Sequence, residues 1–388
     1  MKRLIPLLLA TVLLSTTSIA ADRPQQSFKP ATIAPAQDKE ADLSTLAAPQ
    51  APMSQFVAPA SGMTPQMMIE GLSAIKGSRD GTQSEVDTPR RVKRMLMGKQ
   101  SGMIGGDKKD KKKGDLKQIG NTSEYPYTAM GVIASGCSGT VVMKRFVLTA
   151  AWCVYDLKGK KFYDNLNFFP AMNGKQTPFG EVAWKNAWVA KGFSEKGDLN
   201  FGYGLIELDK DIGDTVGWFG FGDVPKLGKQ LTMTGYPFAA VPAQTMWETR
   251  CGIDGADDNA IFYHCPGEPK ALAAMLGSPI WFKGKTDDSW QIVGIHVNAQ
   301  NDKMDSWWAA RLSAAHTATI LAWANGADKK DTGTEDPPTD DQVADDEGDD
   351  ETDKKVTDDG ADDDTDTGTD QVTDTKPKCT CDEEAQPQ

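Results

Sequence analysis

The 388-residue chain has only three histidines, at 264, 296 and 316, and no C-x-x-C among its six cysteines. A Cys–His zinc site has little to build on, since such sites need four closely spaced ligands. Beyond the N-terminus no apolar run reaches the roughly 18 residues of a membrane-spanning helix, which excludes a polytopic membrane protein and leaves no transmembrane span expected. Residues 328–388 contain no aromatic residue at all. They carry 24 acidic and 6 basic side chains, so the chain's net charge of −13 belongs to this tail, and residues 1–327 are mildly basic. Such a segment cannot bury enough apolar surface to offset chain entropy and is expected to be disordered.

The chain organises into four stretches. Met1-Lys2-Arg3, the apolar Leu4 to Leu14 and the small residues of Ser18-Ile19-Ala20 read as a signal peptide over 1–20, cleaved near Ala20; an N-terminal anchor is the rival reading. Export predicts a secreted or periplasmic protein that can keep disulfides. Residues 21–119 read as a low-complexity leader or pro-segment. Its basic clusters, Arg90-Arg91-Val92-Lys93-Arg94 and Lys108 to Lys113, suit processing, an anionic surface or a solvated linker. No aromatic interleaves with these cations, so no nucleic-acid partner is expected. Residues 120–326 hold nearly all the aromatics, and residues 327–388 form the acidic tail. Weak, nonspecific cation binding is the ceiling for that tail, because no 12-residue calcium loop is evident. The role of Cys379 and Cys381 within it stays open between a link to another chain and a local ring.

Residues 120–326 read as all-β. Thr140-Val141-Val142 and Phe146-Val147-Leu148 flank a tight turn at Met143-Lys144-Arg145. Tyr203 to Leu208, Leu231 to Thr234, Ile261 to Tyr263, Ile280 to Phe282 and Gln291 to Ile295 follow as short apolar runs between turn formers. Ser313 to Asn325 reads as a terminal helix, capped by Ser313 and stopped by Gly326.

The blocks Gly136-Cys137-Ser138-Gly139-Thr140, Leu148-Thr149-Ala150-Ala151-Trp152-Cys153, Thr234-Gly235-Tyr236-Pro237, Gly277-Ser278-Pro279-Ile280-Trp281 and Val293-Gly294-Ile295-His296 stand in one order across about 120–326. In this pattern the chain resembles trypsin-like serine endopeptidases, specifically the bacterial glutamyl-endopeptidase branch. The resemblance implies two antiparallel β-barrels of trypsin-like type with a C-terminal helix, flanked here by disordered segments. It also implies disulfides Cys137–Cys153 and Cys251–Cys265.

Such an enzyme needs a base, an acid that orients it and an attacking hydroxyl. The family's histidine position, before the Cys of the T-A-A-H-C block, holds Trp152, whose indole accepts no proton. The aspartate position holds Gly202, and the nucleophile position holds Leu276. No catalytic residue is therefore assigned. The family's Gly two residues before the nucleophile is Ala274 here, its pocket Thr falls on Ala271, and Pro266 to Lys270 lengthens the preceding loop. His296 matches a histidine that in glutamyl endopeptidases lines the pocket for an acidic side chain. Trp152, Leu276, His296 and Ala274 are thus the candidate cleft and pocket residues, either a packed scar or an apolar groove. The expectation is an inactive, exported protease homologue that binds polypeptide partners, without cofactor or metal. The rivals are an active glutamyl-endopeptidase-like enzyme and a surface-associated structural protein acting through its tail.

Overall fold

Short β-branched and aromatic runs between turn residues become strands because each strand can bury one face while its backbone bonds are met by its neighbours. A computed structural model of the chain describes residues 26–33, 39–40, 46, 63–98, 104–105, 115–225, 229–238, 244–285, 289–301 and 306–332. The signal segment, Lys108 to Lys113, and the acidic tail beyond Thr332, with Cys379 and Cys381, lie outside the described residues.

The first sheet runs in the order Phe168–Pro170, Met130–Ile133, Cys137–Met143, Phe146–Ala150, Tyr203–Leu208, Trp184–Ala190. It curls shut where Phe168 bridges Val182, next to the sixth strand. The expected tight turn is there: Met143 pairs with Phe146 across it. The second sheet links Trp290–Asn301, Pro279–Lys283, Gln230–Gly235, Trp247–Ala256, Ala260–His264 and Ser306–Arg311, and closes by pairing the last strand with the first. Two antiparallel barrels result, as expected, with disulfides Cys137–Cys153 in the first and Cys251–Cys265 in the second.

Among the described residues the helices are short except the last: α1 (Pro65–Leu72), α2 (Arg90–Met97), α3 (Lys191–Lys196), α4 (Gly213–Val216), α5 (Pro269–Ala273) and α6 (Ala314–Thr332). The terminal helix starts where expected but continues past Gly326. A glycine inside a helix costs only about 1 kcal/mol. Trp323, stacked on Tyr203 at 5.9 Å, and the buried Ile320 anchor the preceding turns.

Part of the stretch read as a leader is built into the first barrel. Ala74–Ser78 pairs antiparallel with Trp184–Ala190, and Gln83–Val86 folds back on it as a hairpin. Helix α1 starts at Thr64, whose side chain accepts from the Met67 amide, with Pro65 in the first turn. It buries Met68, Ile69 and Leu72 and packs on α3; α2 packs on α1 and α6. Further back, Phe28 bridges Trp218 and stacks on its ring at 4.4 Å. The featureless leader expected over 21–119 therefore does not extend to residues 63–98, which form secondary structure on the barrel.

Candidate functional site

Trp152, Gly202 and Leu276, which the resemblance sets at the triad positions, converge on one strand end. The strand Phe146–Ala150 runs into a 3-10 turn, Ala151–Cys153, which holds Trp152 and is tied back by the Cys137–Cys153 disulfide. The Ala151 amide donates to the Gly202 carbonyl at 2.9 Å, and the Ser138 amide to the Leu276 carbonyl at 2.8 Å. Ser138 and Thr149 belong to neighbouring strands joined by a bond from Thr149 Oγ1 to the Ser138 carbonyl at 2.7 Å. Trp152 is 6% and Leu276 4% exposed. The indole lies 6.0 Å from the ring of Phe193 on α3. At Gly202 a Cβ would sit 2.9 Å from the Leu199 carbonyl oxygen and 3.1 Å from Val297. Any side chain at this position therefore requires Leu199 or Val297 to shift. An indole, a hydrogen and an alkyl chain occupy the three positions at this strand end, and none can accept a proton.

The pocket candidate His296 is fully buried. Its Nε2 lies 3.1 Å from the Leu272 carbonyl, which can only accept, so Nε2 carries the proton. Nδ1 then accepts from the Tyr263 hydroxyl at 2.5 Å. Burial pushes the imidazole pKa down to about 4, against a smaller upward pull from the Leu272 bond. The ring is neutral at ordinary pH, and both nitrogens are occupied by protein. It offers no charge to an acidic side chain.

The group that seals His296 comes from the lengthened loop. Pro266-Gly267-Glu268-Pro269-Lys270 is a helix start written in sequence: Pro269 takes the first helical position, and the Glu268 side chain accepts from the Ala271 amide at 2.9 Å. The resulting α5 places Leu272 against His296. It also draws in the amides that follow: Ala274 donates to Lys270 at 3.1 Å and Met275 to Leu272 at 3.1 Å. Ala274 therefore ends a helix, and its N–H is committed within it.

Among the described residues the other serines, acids and histidines near these strands form no relay. Ser278 is buried, and its hydroxyl donates to Ser138 Oγ at 3.3 Å, which in turn accepts from the Tyr236 amide. Asp198 caps the turn Leu199–Phe201 through the Asn200 amide at 2.9 Å, and burial raises its pKa. Sequence reading missed Asp254, which lies between His264 Nδ1 (2.7 Å) and Ser306 Oγ (2.7 Å). The carboxylate sits in the middle, so the histidine never reaches the hydroxyl. Alternation along the strands could have flagged Asp254 and His264 as one-face neighbours, but the register was needed to pair them. Ser313 Oγ and His316 Nδ1 lie 2.8 Å apart at the start of α6, an i, i+3 contact at a helix N-terminus with His316 fully buried. Among the described residues no group of three or more His, Cys, Asp or Glu is placed to hold a metal ion, and no helix is long and apolar enough to cross a membrane.

Comparison with known proteins agrees with this architecture. Residues 114–253 match the trypsin family model. The glutamyl endopeptidase of Bacillus licheniformis is 34% identical over 139 residues, covering 34% of this chain and 43% of that enzyme. The chain thus spans less than half the length of that relative. The extracellular metalloprotease of Bacillus subtilis is 26% identical over 241 residues, covering 59% of this chain and 71% of the relative. Among solved structures, a Glu endopeptidase in complex with MPD is similar at 21% identity and a TM-score of 0.47, covering 56% of this chain and 98% of that one. The fold is trypsin-like and mostly β.

Proposed function

We propose that this trypsin-fold serine protease homologue is an exported pseudoprotease that binds polypeptide partners without cleaving them. The observation that carries the reading is the joint placement of Trp152, Gly202 and Leu276 at one packed strand end. Loss of a serine triad lowers turnover by about 10⁶-fold. The sealed His296 and the helical Ala274 amide remove the acidic-side-chain pocket and one oxyanion donor as well. The two local disulfides and the extracellular relative support an exported setting.

With Trp152 and Leu276 packed away, the former cleft is a filled scar, and recognition falls to surfaces outside it. The test combines two measurements on the full chain. A fluorogenic peptide library that includes Glu at the cleaved position should show no turnover above a heat-killed control, and a serine-directed fluorophosphonate should not label. Labelled unfolded casein should raise its anisotropy on titration and stay intact on a gel. Saturable fluorophosphonate labelling or casein fragments would overturn silence; a flat anisotropy titration would remove polypeptide binding. The names of the two relatives favour a rival, an endopeptidase working with residues outside the family's positions, and the same labelling experiment separates it from silence.

A further inference from the structure

The basic cluster at 90–94 lies on a fixed helix, not in a linker. In α2, Val92 is 1% exposed, and Met95 and Leu96 turn partly inward with it. At 100° per residue these three share one face. The opposite face then carries Arg90, Lys93, Arg94 and Met97, all exposed, with Arg91 on its flank. Since α2 packs on both α1 and α6, this face is presented by rigid neighbours.

Two further observations set it apart. The helix has no acidic residue in its first turn and no side-chain cap at Pro89, yet Arg90 and Arg91 open it. Cations at a helix N-terminus stand against the helix dipole, so the local arrangement is electrostatically unfavourable for the fold alone. Among the described residues no ion pair involves Arg90, Lys93 or Arg94, as is true of several other exposed cations such as Lys158 and Lys175; here three such cations stand together on one short helix. Large apolar exposure occurs on these two packed helices: Met97 is 65% and Met67, on α1, 46% exposed, with Phe28 at 37% the other large apolar side chain so exposed among the described residues.

We propose that the outward face of α2 is a docking surface for an anionic phospholipid surface. Cations supply attraction to the headgroups, and Met97 supplies a side chain that inserts at the acyl boundary, the combination found on interfacial helices. A soluble polyanion would use the cations alone and would leave the exposed methionines without a role. Each cation near an anionic membrane strengthens partition about fivefold, so the three outward ones give a preference on the order of 100-fold for anionic over neutral vesicles.

The experiment is vesicle flotation of the full chain with phosphatidylcholine alone and with phosphatidylcholine containing 30 mol% phosphatidylglycerol, at low and high salt. Binding should require phosphatidylglycerol and weaken steeply as salt rises. The variant R90E/K93E/R94E should lose it, with its unfolding midpoint not lowered, because these side chains are exposed and acidic residues suit a helix N-terminus. Met97→Ser should weaken it, and a control triple at other exposed lysines, K158E/K160E/K175E, should keep it. Equal flotation of R90E/K93E/R94E and the parent chain overturns the proposal, as does failure of the parent chain to float. Retention on heparin without flotation overturns it in favour of a soluble polyanion. The outcome is independent of whether the protein cleaves peptides.

Discussion

Lowering the pH from 7 to 4 should cost the native state about 3 kcal/mol through His296 alone. The folded imidazole stays neutral down to about 4, while its ordinary value is 6.5. Between those values the unfolded chain binds the proton and the folded chain does not. Stability is therefore full above about pH 6.5, falls as the pH drops, and levels out below about pH 4. The gap of some 2.5 units, at 1.36 kcal/mol each, sets the magnitude. Asp198 and Glu248, whose carboxyls burial raises, act in the opposite direction. The measurement is therefore a difference. Urea unfolding followed by tryptophan fluorescence, at several pH values from 7.5 to 4, should be run on the parent chain and on His296→Gln. Glutamine can still accept from Tyr263 and donate to Leu272, so it keeps the bonds and removes the titration. The parent should lose about 3 kcal/mol more than the variant across this range. Parallel pH profiles would refute the tautomer and burial argument, and would reopen His296 as a group reached by solvent.

Placing His, Asp and Ser at the positions that the resemblance gives the triad, as W152H/G202D/L276S, should give no peptidase activity in a fluorogenic assay and a lower unfolding midpoint. Leu276→Ser alone removes alkyl burial worth about 1.5–3 kcal/mol, and the new aspartate meets Leu199 and Val297; robust turnover would show that α5 and the filled cleft are no obstacle. Leu72→Ala, at a fully buried position on α1, should cost about 2–5 kcal/mol in urea unfolding. A change below about 0.5 kcal/mol, the range of ordinary surface substitutions, would show that residues 63–98 are not part of the cooperative fold.

The strands legible in the sequence are those whose own residues bury a face. Tyr203–Leu208 matches its apolar run from end to end. Ala74–Ser78 and Gln83–Val86 were not legible, because AIKGS and QSEV carry almost no apolar alternation. Their place is set by backbone pairing with a distant strand, which no local pattern reports. That Trp152, Gly202 and Leu276 interrupt otherwise familiar blocks could be read one residue at a time. The closure of the pocket could not. The extra residues after Cys265 showed only a longer loop, and it took the capping geometry of Glu268 and Pro269 to turn that loop into a helix against His296. Gly326 misled because a glycine inside a helix costs only about 1 kcal/mol, too little to end a helix anchored by the buried Trp323 and Ala324 just before it.

The hairpin at 74–86 has a bearing on solubility. Ser78 bonds to Asn186 at 2.7 Å across 108 residues of chain. Before that meeting, the Trp184–Ala190 strand would offer an open row of amides and carbonyls flanked by Trp184, Trp188 and Val189, which are buried in the finished fold. An apolar open strand of this kind is a template for pairing with other chains. The hairpin covers it and presents Gln83–Val86 outward instead, a four-residue strand whose Glu85 is held by Lys191 at 2.6 Å. Short, polar and charge-bearing, it is a poor template. The segment ahead of the barrels thus guards the first of them against self-association, and a chain lacking it should aggregate from a correctly formed barrel.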